Sequence, residues 1–161
     1  MLKSKFKFRA LLIPILILAI TSVSIFIIVE NWPLKIDELR WIEIYMTFVF
    51  LLTWIWLVFG ELRTKIIKVI IDNNNIEKKN FLGFNYKYSF KDFSGYNTSI
   101  LTAKGESFEY LYLIKDDQKL IKLSEAYHKK YSDLKNKIEA NFKNLGEIKF
   151  NYIDEFKEIF K

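Results

Sequence analysis

Ala10 to Val29 reads ALLIPILILAITSVSIFIIV, twenty residues without a single charge. As an α-helix rising about 1.5 Å per residue it extends roughly 30 Å, the hydrocarbon thickness of a bilayer. Pro14 falls near the first turn, where its missing N–H costs least. A basic start also suits a cleaved signal peptide. The run exceeds the usual signal core, however, and Glu30-Asn31-Trp32 follows it without a small-x-small cleavage pattern. The reading is a membrane span.

A second uncharged run, Ile44 to Gly60, reads IYMTFVFLLTWIWLVFG. Its seventeen residues stand near the lower limit for a span. Trp41 and Tyr45 at one end and Trp54 and Trp56 toward the other suit interfacial anchors. A buried core helix would have similar composition, but nearness to the first run favours a two-helix hairpin. Between them, Asn31-Trp32-Pro33 breaks the helix and turns the chain.

Basic residues orient the hairpin. Lys3, Lys5, Lys7 and Arg9 precede the first run; Arg63, Lys65 and Lys68 follow the second; the link from Glu30 to Glu43 has only Lys35 and Arg40. Lys and Arg resist translocation, so both termini are expected on the cytoplasmic side of a bacterial inner membrane. The hairpin would gather the seven flanking cations at one interface, as candidate contacts to anionic lipid. Neither span holds an Asp, Glu, Lys, Arg or His, which disfavours a transporter or pump.

Beyond Arg63 the period changes. Thr64 to Ile71 is rich in β-branched residues and reads as a strand. Asp72-Asn73-Asn74-Asn75 turns the chain, and Ile76 to Leu82 continues as a second strand. Phe84, Tyr86, Tyr88 and Phe90 alternate with polar residues, giving a strand with one aromatic face. A further strand lies within Asp92 to Thr102. Phe108 to Lys115 and Lys119 to Leu123 form a hairpin around Asp116-Asp117-Gln118. Ser124 then reads as an N-cap. Tyr127, Tyr131, Leu134, Ile138, Phe142 and Leu145 make one apolar helical stripe, and Gly146 ends it. In the tail, Asn151 caps a short helix in which Tyr152, Phe156, Ile159 and Phe160 share a face.

The divisions are therefore a basic flank (1–9), a helix hairpin (10–62), a cytoplasmic α+β domain (63–146) and an amphipathic tail (147–161). The overall charge of +6 and 51% hydrophobic content reflect these unlike parts.

Chemistry-bearing motifs are few. The chain has no cysteine and a single histidine, His128, so no triad, HExxH motif or multi-His metal site can be assembled. His128 reads as a surface or half-buried helix residue, and Asp116-Asp117 as a hairpin turn rather than a metal pair. No phosphate-binding glycine loop or nucleophile elbow is present. Lysines alternate with nearly as many acids, so nucleic acid is not an expected partner. The expectation is no catalytic residue, metal, cofactor or small-molecule substrate.

The apolar hairpin, the strand after Arg63, the block Tyr88-Ser89-Phe90-Lys91-Asp92-Phe93-Ser94-Gly95-Tyr96, the strand Phe108 to Lys115 and Leu123-Ser124-Glu125 give a layout that resembles the bacterial membrane-anchored PH-like (pleckstrin-homology-like) domain proteins. That resemblance implies a small antiparallel β-barrel capped by one C-terminal amphipathic helix. The first hairpin loop, Asp72 to Asn75, holds none of the bases that phosphoinositide-binding members carry. The expected role is a membrane-tethered binding or scaffold module that engages the bilayer and a protein partner or a second copy. The alternative is an accessory subunit of a membrane enzyme or transport complex.

Overall fold

A computed structural model describes residues 1–30, 41–81, 83–103, 105–151, 153 and 157. The apolar runs form α1 (Phe8–Glu30) and α2 (Trp41–Ile55). α2 continues through a wider π-helical turn, Trp56–Leu62. Both helices are long and apolar enough to cross a membrane. Their side chains face outward along most of their length, Leu18, Phe26, Phe48 and Leu51 among them. Trp54 Nε1 donates to Thr21 Oγ1 at 3.1 Å, a polar tie between the helices. The expected turn at Asn31-Trp32-Pro33 lies outside the described residues.

Among the described residues, two four-stranded sheets, a two-stranded pair and a short α-helix make up most of the rest. The strands are β1 (Leu2–Lys3), β2 (Lys5–Phe6), β3 (Ile67–Ile71), β4 (Asn75–Asn80), β5 (Asn85–Ser89), β6 (Gly95–Ala103), β7 (Glu106–Lys115), β8 (Gln118–Ser124), β9 (His128–Lys129) and β10 (Asn144–Glu147); α3 is Tyr131–Glu139. One sheet has the order β1-β3-β4-β5 and the other β10-β6-β7-β8, with β2 and β9 paired separately. Period-two burial explains the layering. Ile67, Val69, Ile71 and Ile76 point into a core shared with Leu111, Leu113, Ile121, Leu123, Leu134 and Ile138. The turn between β7 and β8 is tight because Asp116 and Asp117 both take positive φ, as a two-residue hairpin requires.

A second cluster joins helices to sheets. Ala10, Ile13, Leu57, Leu62 and Ile66 pack together, with Phe6 and Tyr127 against them. Glu61 pairs with buried Lys65, and the Tyr127 hydroxyl donates to Glu61 at 3.2 Å. Burial first, and the neighbouring Glu61 carboxylate next, push the Tyr127 phenol above its ordinary range.

Several expectations need correction. The mixed helix-and-sheet class stands, but among the described residues the sheets do not close into a barrel. The flank 1–9 is not a separate tail. Leu2 and Lys3 pair with Ile71 and Ile70, and Lys5 and Phe6 with Lys129 and His128. Ser4, 2% exposed, accepts a hydrogen bond from the Val69 N–H at 2.8 Å. The strand expected from Thr64 begins at Ile67, because Lys65 and Ile66 bond back to the Glu61 carbonyl. The last helix also starts later than expected. Ser124 caps a turn through the Ala126 N–H, residues 128–129 are drawn into β9, and Lys130 in the left-handed region opens α3. α3 ends at Glu139, so Leu145 and Gly146 belong to β10 rather than to the stripe.

His128 is neither on a helix nor at the surface: it is fully buried on β9, facing β3. The tail docks on the domain as far as Phe150, whose ring centroid lies 5.8 Å from that of Tyr110. The Asn151 side chain accepts from the Ile153 N–H at 2.9 Å. The aromatic face expected there, on Tyr152, Phe156, Ile159 and Phe160, lies outside the described residues.

Candidate functional site

A cleft opens along the seam between the two sheets. On β4 and β5, Ile76 lies opposite Tyr88 and Lys78 opposite Tyr86. This inner face grades from apolar to basic along its length. Ile76 is fully buried in the core, Tyr88 is half-buried, and Lys78 and Tyr86 reach a cleft of about 420 Å³. Arg63 and Thr64, just past the end of the π-helical turn, line the same cleft.

The opposite wall is β8. Lys119 and Lys122 are three residues apart and would point to opposite faces of a regular strand. A register shift prevents this. Leu113 pairs with Ile121 but Ile114 pairs with Lys119, leaving Leu120 as an extra, bulged residue. Both lysines then stand over the Tyr112 ring, Lys119 at 4.6 Å and Lys122 at 5.3 Å from its centroid. The Leu120 carbonyl accepts from Lys78 Nζ at 2.6 Å, so one side chain bridges the seam.

Arg63, Lys78, Lys119, Lys122 and Lys157 thus surround the cleft with Asp117 as the one carboxylate among its described lining residues. β5 and β8, at its sides, are the terminal strands of their sheets. Such a place can accept negative charge and pair with an extended chain. Among the described residues no group of three or more His, Cys, Asp or Glu side chains converges as a metal site would require.

The seven flanking cations are not gathered at one place. Arg63 alone lines this cleft. Lys65 is buried against Glu61. Arg9 pairs with Glu106 at 2.9 Å, over the Phe108 ring, and shares a shallow depression with Lys7. Lys5 is exposed opposite Lys129 on β9, and Lys68 is exposed opposite Lys79 on β4. Lys3 stands near Asp72 and Glu77, at the end of the sheet remote from the helices. Sequence reading missed Lys78, Lys119 and Lys122. Only the bulge brings the last two together, and a bulge leaves no mark in the period-two pattern.

No protein-family model, curated protein or solved structure matches the chain.

Proposed function

We propose that this chain is a membrane-tethered binding module, PH-like in layout, whose basic cleft receives an acidic, extended segment of a protein partner at the cytoplasmic membrane surface. One observation carries the reading: cationic side chains converge on a seam between two edge strands, directly beyond the end of a helix fit to span a bilayer. The charge favours acidic residues in the partner, and the edges favour an extended backbone.

The strand pairing also bears on topology. Residues 2–3 and 70–71 share one ladder. If α1 and α2 both cross the bilayer, their sheet-proximal ends must lie on the same side. The basic flanks favour the cytoplasm as that side.

A photo-crosslinking side chain at Tyr86, in the full chain in its native membrane, tests the reading. A discrete protein adduct is expected, lost on Lys119→Glu and absent when the probe sits at Asp133 on the exposed side of α3. No adduct, or the same adduct from both positions, would overturn it.

A further inference from the structure

The loop joining β4 to β5 carries a surface that the cleft does not use. Phe81 is 59% exposed and Phe84 58% exposed, two aromatic side chains turned away from the core. They are not on a slack loop. The Asn80 N–H donates to the Phe84 carbonyl at 3.1 Å, and the Gly83 N–H to the Asn80 carbonyl at 3.1 Å. The Asn80 side chain also accepts from the Phe84 N–H at 2.9 Å. Gly83 supplies the positive φ, +89°, that closes the loop. The turn therefore fixes the backbone from which the two rings project.

Register fixes which end of the domain they occupy. Asn80 lies opposite Ile67, the first residue of β3. Ile67 is five residues past Leu62, where the π-helical turn ends. Arg63 and Ile66 bond back to Val58 and Glu61, so the connection adds roughly one helical turn of length. On the other side of β3, β1 leads through β2 into α1 at Phe8. Both long helices leave from this end of the sheet, and Phe81 and Phe84 project from it.

The outward face beside the loop is basic. Lys68 and Lys79 stand directly opposite one another and are both exposed. Facing like charges destabilise a bare ladder and suit an anionic surface. Exposed apolar rings with cations beside them suit the boundary between headgroups and acyl chains.

We infer that Phe81 and Phe84 form an aromatic anchor that seats the β4–β5 loop in the bilayer interface, holding the domain, and hence the mouth of its cleft, against the membrane. The anchor rests on the proposed membrane tether. Its occupant is the lipid surface.

The chain has no cysteine, so a single introduced thiol is labelled uniquely. Three full-length variants, Phe84→Cys, Asn73→Cys and Leu18→Cys, are labelled with the environment-sensitive dye NBD. They are reconstituted in vesicles of phosphatidylcholine and phosphatidylglycerol. Asn73 lies in the β3–β4 turn at the opposite end of the sheet, and Leu18 lies in α1.

The dye at 84 is expected to emit to the blue of the dye at 73. Lipid carrying a spin label near the headgroup should quench it, while the dye at 73 is unaffected. The dye at 18 should be quenched by a deep spin label. If the dye at 84 behaves like that at 73 while the dye at 18 is quenched, the anchor is wrong and the tether stands. If the dye at 18 is not quenched either, both fall. If emission at 84 follows the protein-to-lipid ratio and ignores the spin label, a second copy covers the tip and the anchor is overturned.

Discussion

Replacing His128 by leucine probes the tie between the two sheets. The ring is fully buried. Its Nε2 lies 3.0 Å from the carbonyl of Ile67, the first residue of β3, and Nδ1 lies 3.2 Å from the N–H of Ser124, the last residue of β8. A neutral imidazole protonated on Nε2 satisfies both partners, donating to Ile67 and accepting from Ser124. Leucine fills much of the space and satisfies neither. A buried carbonyl and a buried N–H are left, each costing about 1–3 kcal/mol, so the variant should lose about 2–6 kcal/mol near neutral pH.

The same substitution has a pH signature. Burial holds His128 below the ordinary histidine value of 6.5, outweighing the Ile67 and Ser124 carbonyls, which each lie 3.0 Å from a ring nitrogen and would favour the protonated ring. As pH falls below that value the unfolded chain takes up a proton that the folded chain refuses. The stability contribution is therefore full above 6.5 and is lost as pH drops toward the folded pKa. The loss approaches about 1.4 kcal/mol per pH unit. The leucine variant lacks this proton, so its deficit against the parent should shrink on acidification. Pulse proteolysis in urea, on the full chain in detergent micelles, measures both proteins at pH about 7.5 and about 5.5. A deficit below about 1 kcal/mol at the higher pH, or the same deficit at both, would refute the assignment of a buried neutral tie.

Other substitutions test separate contacts. A Cβ on Gly95 would stand 2.4 Å from the Lys143 carbonyl and 2.7 Å from Leu145 Cγ. Gly95→Ala should therefore detach β10 and speed amide exchange at Tyr96 and Ile148 while leaving the β6–β7 ladder protected. Leu134→Ala empties a buried site between α3 and both sheets and should cost about 2–5 kcal/mol in the same proteolysis assay. Ser4→Ala removes the acceptor of the buried Val69 N–H and should cost about 1–3 kcal/mol; no change would mean that the β1 segment contributes little to the fold.

How far the sequence could be read follows from the range of each signal. The two apolar helices and the six strands β3 to β8 rest on local periodicity, and their places were legible within a few residues. The helix start was not. Ser124-Glu125 is a sound local cap, but β9 is pulled into pairing with β2 by a segment more than a hundred residues away. The N-terminal strands did carry a mark: Leu2, Phe6 and Phe8 alternate with Lys3, Lys5, Lys7 and Arg9. Nearness to a hydrophobic span gave that basic run a simpler explanation and hid its period of two. The cleft was less legible still. Arg63 was noticed for its place after the span, whereas Lys119 and Lys122 became neighbours only through the bulge at Leu120, a property of strand register.

The pairing of β1 with β3 and of β2 with β9 also sets an order of assembly. Leu2 to Phe6 are synthesised ahead of both long helices, yet their partners at Ile70, Ile71, His128 and Lys129 follow those helices in the chain. The opening segment must wait, unpaired, until α1 and α2 have been placed and most of the sheets exist. These are contacts of long sequence separation, which close late and slowly. If both helices cross a membrane, completing this sheet edge requires their sheet-proximal ends to lie on one face of it. A chain whose helices settle with their sheet-proximal ends on opposite faces cannot bring Leu2 to Ile71. It keeps a bare β3 edge, open to proteases and to aggregation. The finished ladder is thus compatible with only one relative placement of the two helix ends.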